Sequence, residues 1–298
     1  MKSAGYTTGI FGKWGLGNPG SVSIPNKMGF DEFYGYNCQR QSHSFYPDHL
    51  WHNEEKVLFP ENENNACKTY SQDLIHEQAL KFIRDHKEQP FFAMLTYTLP
   101  HAELNLPHDS IYKMYENSFE ETPYIGKFDK VYGGYNTSEK PLASFAAMVS
   151  RLDKYVGDVM AELKELGLDK NTIVIFTSDN GPWLTEHENG GSAGPLKDGK
   201  GTWWEGGFRV PAICWMPGKI NPAINDEIMT SMDLYPTFLS MAGIEQPKDL
   251  VLDGVNQTGL LFEEKHSARD EVYYWWGSEL MAIRKGEWKY YFKTIKDQ

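Results

Sequence analysis

Apolar positions along the chain fall into two patterns that alternate: short β-branched or aromatic runs, and stripes with helical spacing. This is the pattern of an α/β fold whose sheet is covered by helices on both faces. Pro90 precedes Phe91-Phe92-Ala93-Met94-Leu95-Thr96-Tyr97, a run of strand length. Thr172-Ile173-Val174-Ile175-Phe176-Thr177 has the β-branched bias of a buried strand, and Val210 to Trp215 reads as a third. Between them, Leu74, Ile75, Ala79, Phe82 and Ile83 share one helical face behind Ser71, which the pattern assigns as the helix cap. A longer helix is marked by Leu142, Phe145, Val149, Leu152, Val156, Val159, Leu163 and Leu166 and stops at Gly167. A shorter one runs from a cap at Asp233 to Met241, closed by Gly243.

The end of the chain changes character. Glu271–Trp276, Leu280–Arg284 and Glu287–Phe292 are short, close together and separated by Gly277 and Gly286, which predicts an antiparallel meander. The expected division is a main α/β domain over 1–245 and a small antiparallel subdomain over 246–298. Residues 100–140 are long, aromatic and irregular, which suits a substrate-binding loop.

Composition refines this picture in three places. A net charge of −12 leaves no basic stripe to neutralise a nucleic-acid backbone, so an anionic small substrate would need a locally positive site. Cys38, Cys67 and Cys214 show neither a zinc spacing nor a disulfide framework. No stretch approaches the roughly 20 apolar residues of a membrane span, and no signal peptide is present in these residues. Aromatics reach 14% and cluster at Trp203–Trp204 and Tyr273–Trp276, as buried packing or as a carbohydrate-facing surface.

Ligands in open α/β sheets gather at the carboxyl ends of strands. The second strand runs into Ser178-Asp179-Asn180-Gly181-Pro182, where a carboxylate and a carboxamide offer hard oxygen ligands for Ca²⁺ or Mg²⁺, or simply form an Asx turn. The first runs into Leu99-Pro100-His101-Ala102-Glu103, placing His101 where a general acid could stand. Gly190 to Gly201 is a glycine-rich loop carrying Lys197 and Lys200, able to bring backbone and ammonium to an anion or to serve as a flexible surface loop. Gly12-Lys13-Trp14-Gly15-Leu16-Gly17 is a second glycine-framed lysine.

In order and wording these segments resemble the sulfatase family. Tyr6 to Gly17 is similar to its second signature, Pro90 to Leu104 to its strand-then-histidine segment, and Thr177 to Pro182 to its metal-binding turn. Gly199-Lys200-Gly201-Thr202-Trp203-Trp204-Glu205-Gly206-Gly207-Phe208-Arg209-Val210-Pro211 follows its active-site lysine segment. Asp233 to Thr237 and Ala282 to Lys289 match further family segments. The wording resembles bacterial arylsulfatase-like enzymes acting on sulfated carbohydrates.

The resemblance implies an alkaline-phosphatase-like fold: a mostly parallel mixed sheet sandwiched by helices, with a small C-terminal antiparallel sheet. It implies hydrolysis of sulfate esters, with Asp179 and Asn180 as ligands of a divalent cation, usually calcium (Mg²⁺ is the other candidate). Lys13, His101 and Lys200 would surround the sulfate, His101 or Lys200 assisting the leaving oxygen. A phosphoester or phosphonate hydrolase of the same superfamily is the competing enzyme reading. A non-catalytic relative that binds sulfated glycans is the competing non-enzyme reading.

Two departures shape the expectation. The family's nucleophile is a formylglycine made from a cysteine or serine, and none of Cys38, Cys67 or Cys214 has its sequence setting. In the family that motif and a pair of acidic metal ligands lie upstream of the segment at Lys13. The chain is therefore expected to be N-terminally truncated, poorly stable and without turnover alone, with export to the periplasm or beyond implied for the full-length parent. Second, Gly15 stands where many relatives carry a histidine; His43, in Ser42-His43-Ser44-Phe45-Tyr46-Pro47, is the candidate to contribute at the substrate from another loop. Asn136-Thr137-Ser138 and Asn256-Gln257-Thr258 match glycosylation sequons.

Overall fold

The computed structural model describes residues 1–127, 135–184 and 189–293. Residues 128–134 of the expected substrate loop thus lie outside the described residues. The chain forms two compact units, one from Lys2–Leu168 with a short segment ending at Gly191, the other from Asp169–Leu184 and the chain from Ser192 onward.

The first unit is built on a five-stranded sheet made of β1 (Thr7–Lys13), β2 (Glu32–Tyr36), β3 (His49–His52), β4 (Glu55–Leu58) and β5 (Phe91–Thr96), in the order β4-β3-β2-β1-β5. β1 lies between β2 and β5 and is parallel to both, while β3 and β4 extend the sheet as antiparallel strands. Of these five, only β5 was legible as a strand. β1 and β2 lack the alternation of a half-exposed strand because they are buried on both faces. They also carry glycines, and here the glycines are structural. Gly12 has φ 129° and Gly35 φ 153°, and a Cβ on either would stand about 2 Å from a neighbouring strand's carbonyl, at 2.0 Å from Thr96 O and 1.9 Å from Gly12 O respectively. β1 closes up on both neighbours at this level because neither Gly12 nor Gly35 has a side chain to place between the strands.

Helix α1 (Ser71–Asp85) covers one face of the sheet, its Ile75, Ala79 and Phe82 packing with Phe11, Tyr34, Tyr36 and Leu50. Its beginning differs from expectation. Tyr70 occupies the cap position, and Ser71 is instead buried with its hydroxyl donated to Phe45 O at 2.8 Å and touching Tyr36 OH. The hydroxyl is turned into the core, where it donates to Phe45 O and accepts from Gln72 Nε2 instead of from the first N–H groups of the helix. After the single turn α2 (Ser110–Lys113), capped by Asp109, comes the long helix α3 (Pro141–Glu165), which ends as the sequence indicates. Gly167 takes φ 71° while Leu168 N–H returns to Leu163 O at 2.8 Å. A second core gathers Phe45, Tyr46, Tyr70, Leu99, Leu104, Leu106 and Tyr112 with Ala143, Ala147 and Met148 of α3. Arg151, also on α3 and buried, bridges Asp73 of α1 at 2.9 Å and Asp109.

The second unit contains β6 (Val174–Thr177), the turn α4 (Glu205–Phe208), β7 (Ala212–Trp215), α5 (Ser231–Met241), α6 (Thr258–Phe262) and the meander β8 (Glu271–Trp276), β9 (Glu279–Lys285), β10 (Trp288–Tyr291). β6 and β7 pair antiparallel, and the meander has the order β10-β9-β8 that the glycine spacing predicts. Asp233 is not the cap of α5. Thr230 is, and Asp233 accepts the Thr230 N–H at 2.8 Å from the first turn. Its carboxylate is fully buried and also holds Arg269 (2.6 Å) and the Val255 N–H (2.9 Å).

No helix among the described residues is long and apolar enough to cross a membrane.

Candidate active site

In the first unit the three parallel strands deliver their carboxyl ends side by side. Lys13 closes β1, in register with Tyr36 of β2, and among the described residues its side chain has no ion-pair or hydrogen-bond partner. The strand leaves through Trp14 and Gly15, whose N–H groups donate to Tyr36 O (3.0 Å) and Asn37 O (3.3 Å), and Trp14 Nε1 is tied to Ser23 O at 2.7 Å. Gly15 adopts φ 75°, a left-handed conformation that disfavours a side chain there.

β5 ends at Thr96 and turns at Thr98, where the N–H donates to the buried Gln72 side chain (3.2 Å) and the carbonyl accepts the His101 N–H (2.9 Å). Two fully enclosed oxygens near these strand ends, Asn37 Oδ1 and Thr98 Oγ1, have no hydrogen-bond partner among the described residues.

His43 and His101, from separate loops, are brought together. Their rings stack with centroids 5.3 Å apart and planes 19° apart. Tyr135 completes a three-ring cluster, 5.3 Å from His43 and 5.7 Å from His101. The His43 turn is fixed from beneath by the buried Ser42, whose hydroxyl donates to Gln39 O at 2.6 Å.

Close behind His101, Glu103 is wholly buried. Burial pushes its carboxyl up to about 7, against the opposing pull of hydrogen bonds from the Asn136 side chain, the Asn136 N–H and the Asn105 N–H. No pattern in the sequence singles out Glu103 or Tyr135 as a site residue. The one hint of Glu103 is a lone carboxylate between His101 and the apolar Leu104 and Leu106; Tyr135 has none.

In the second unit, β6 delivers Ser178-Asp179-Asn180-Gly181. Asp179 is exposed and carries no ion pair or hydrogen bond among the described residues, while Asn180 donates its amide to Gly181 O at 2.9 Å and keeps Oδ1 as an acceptor. This turn is joined directly to the lysine loop. Gly181 N–H donates to Gly207 O at 3.1 Å, and Lys200 N–H donates to Pro182 O at 2.7 Å. A Cβ on Gly181 would lie 1.7 Å from Gly206 O, so the turn and α4 meet through backbone alone. Lys200 Nζ lies 5.7 Å from the Trp183 ring centroid. Asp179, Asn180 and Lys200 are thus held in one rigid backbone arrangement.

As a cation site the donors of this turn are incomplete. Two oxygen-bearing side chains fit part of a hard-cation shell, which takes roughly 6–8 oxygens for calcium. No group of three or more His, Cys, Asp or Glu side chains able to hold a metal occurs among the described residues.

Glu205, at the head of α4, accepts from Tyr274 OH, Arg284 Nη1 and Lys289 Nζ, each at 2.8 Å. Lys289 also donates to Trp203 O at 2.7 Å and its ammonium lies 3.4 Å from the Tyr274 ring centroid. Burial would raise the Glu205 carboxyl, but Lys289, Tyr274 and Arg284 outweigh it and hold it below the ordinary range. The lysine segment is thereby pinned to the meander.

Comparison with known proteins identifies the family. A family model described as "Sulfatase" matches residues 1–244, and one described as "N-sulphoglucosamine sulphohydrolase, C-terminal" matches 199–292. The chain is 31% identical to an arylsulfatase of Hemicentrotus pulcherrimus, over 99% of the chain and 51% of that protein. It is 32% identical to an N-acetylgalactosamine-6-sulfatase of Canis lupus familiaris, over 99% of the chain and 53% of that protein. The chain spans about half the length of these relatives. Among solved structures, Ps i-CgsB in complex with a neocarrahexaose superposes with a TM-score of 0.77 at 28% identity, covering 97% of this chain and 63% of that one. The fold is α/β with a mostly parallel central sheet and a small antiparallel C-terminal sheet, as in these neighbours.

Proposed function

Since the chain belongs to the sulfatase family, we propose that its parent protein hydrolyses a sulfate ester on a carbohydrate, with a divalent cation and a formylglycine as partners of the residues described above. The observation that carries this reading is the placement of the motif residues. Lys13 ends β1, His101 follows β5, and Asp179 and Asn180 follow β6 with Lys200 hydrogen-bonded to their turn.

Cleaving a sulfate ester leaves negative charge on the departing oxygen, so fixed cations and a positioned proton donor lower the barrier. In this reading Lys13 and Lys200 meet the charge of the sulfate, and His101 or Lys200 delivers the proton to the leaving alkoxide, which is worth roughly 10²–10⁴-fold. Asp179 and Asn180 would hold the cation, calcium with magnesium as the alternative, together with donors from the rest of the parent. A formylglycine residue of the parent would supply the nucleophile, and the cation, when bound, would neutralise sulfate charge. None of the three cysteines is proposed as its precursor. His43, stacked on His101, is proposed to face the sugar.

The carbohydrate substrate is supported by what the similar proteins are named for, an N-acetylgalactosamine-6-sulfatase and a complex with a neocarrahexaose. It is also supported by the meander, where Trp275, Trp276, Trp288 and Tyr290 stand exposed as faces on which a sugar can stack. A distinct C-terminal subdomain from about residue 246 and an exported parent belong to the same proposal.

The test is sulfate release by the parent from an aryl sulfate and from a sulfated oligosaccharide, with an aryl phosphate in parallel. Lys200→Ala and His101→Ala are expected to lower turnover by at least about a hundredfold. Faster cleavage of the phosphate would favour the phosphoester reading. The 298-residue chain alone is expected to release no sulfate above its own Lys200→Ala variant.

A further inference from the structure

Glu103 is an expensive residue to keep buried. Among the described residues its carboxylate meets no cation, only N–H groups. Oε1 accepts from Asn105 N–H at 3.2 Å and from Asn136 Nδ2 at 3.1 Å; Oε2 accepts from Asn136 N–H at 3.2 Å. Desolvation disfavours the carboxylate, and three neutral donors only partly offset it. A glutamine would bring one acceptor oxygen in place of two and a donor where N–H groups already point. The carboxyl thus offers these N–H groups two oxygens where a glutamine offers one.

Those oxygens grip one residue twice. Asn136 is held at its main chain and its side-chain amide, and its own Oδ1 accepts from Asn65 at 3.2 Å. Tyr135, the preceding residue, carries the ring that packs against both His43 and His101. Beyond it the segment is secured by reciprocal hydrogen bonds between Tyr124 and Ser138, at 2.9 and 3.0 Å. The loop bearing His101 and the segment bearing Tyr135 are thus tied to each other through Glu103.

We propose that Glu103 is a positioning residue: by fixing Asn136 at two points it holds the Tyr135 ring against His43 and His101, and so sets the orientation of His101 toward the leaving oxygen of the ester. The role toward the ester rests on the sulfatase reading, whereas the ring placement stands without it.

The experiment reads the rings first. In the isotope-labelled 298-residue chain, the imidazole resonances of His43 and His101 are followed by NMR in Glu103→Gln, in Asn136→Ala and in Tyr135→Leu. Both single clamp variants are expected to move the two histidines in the direction that Tyr135→Leu moves them. His76, stacked on Tyr155 in the α1–α3 packing, is expected to keep its resonances. The double variant Glu103→Gln/Asn136→Asp reverses donor and acceptor in the side-chain pair, leaving only the Asn105 N–H unmatched, and is expected to bring the signals back toward the original ones. Unmoved His43 and His101 in the single variants, or a change that spreads equally to His76, overturns the proposal. If Glu103→Gln does not fold, Asn136→Ala, which alters a partly exposed side chain, decides the same question.

The ester-facing half is read in the parent. There Glu103→Gln is expected to lower kcat about tenfold or more, with KM within about twofold, as for a misoriented catalytic group. Shifted rings with unchanged kcat overturn that half. A parent that releases no sulfate at all refutes the sulfatase reading and leaves the ring result standing.

Discussion

Glu205 Oε1 and Lys289 Nζ lie 2.8 Å apart, joining the turn that follows the Lys200 loop to the last strand of the meander. Lys289 is 11% and Arg284 22% exposed, so both cations depend on this one carboxylate for charge balance. Glu205→Gln is expected to cost roughly 2–3 kcal/mol in urea denaturation, since two half-buried charges lose their partner. The Glu205 carboxyl is held below its unfolded value, so its contribution is present above that value and disappears as pH falls through the folded one. Wild-type chain is expected to lose this difference from Glu205→Gln in strong acid; a difference independent of pH would contradict the assignment.

Glu103 has the opposite sign. Its carboxyl titrates near 4.5 in the unfolded chain and at about 7 when folded. Between these values the folded state keeps a proton that the unfolded state has released, so stability falls as pH rises through this window and levels off above it. The full effect is roughly 3 kcal/mol. Thermal unfolding across this range is expected to show the decline in wild type and a flatter profile in Glu103→Gln.

Among the described residues of the second unit, Asp233 and Arg269 form the most enclosed ion pair, at 0% and 9% exposure. Arg269→Ala strands a buried carboxylate and is expected to cost about 3–5 kcal/mol, whereas Asp233→Asn/Arg269→Met, which removes both charges, is expected to cost less than that single change. Denaturant midpoints of the three proteins check the order.

Two side chains make a poor calcium site. Millimolar calcium is expected to leave the melting temperature of the 298-residue chain unchanged and to raise that of the parent, with Asp179→Ala abolishing the parent's increase. A clear calcium shift in the shorter chain would show that it holds more donors than Asp179 and Asn180.

What was legible in the sequence follows from how each element is buried. α3 shows one-sided periodicity and the meander is punctuated by Gly277 and Gly286, and their bounds agree with the sequence to within a residue or two. β1 and β2 are covered on both faces and interrupted by Gly9, Gly12 and Gly35, so neither alternation nor β-propensity marks them. The site divides in the same way. Lys13, His101, Asp179, Asn180 and Lys200 stood out because each follows a strand or sits in a worded motif. The His43–His101 stack needed the fold to bring separate loops together, and Tyr135 lies in an irregular stretch where no pattern singles it out. Ser71 and Asp233 both read as helix-start residues, but Ser71 turns its hydroxyl to Phe45 O, and Asp233 shares its carboxylate between the Thr230 N–H and Arg269.

The mutual approach of Gly12, Gly35 and Thr96 has a consequence for how variation would be distributed. Every possible replacement at Gly12 or Gly35 adds at least a methyl group into backbone at about 2 Å. A saturation library of this chain, selected for soluble protein alone, would show both columns empty, while neighbouring Lys13, whose ammonium has no described partner, would accept many residues. Selecting the same library in its parent for sulfate release would empty the Lys13 column as well. The gap between the two maps would separate what the strand needs to fold from what it carries for chemistry.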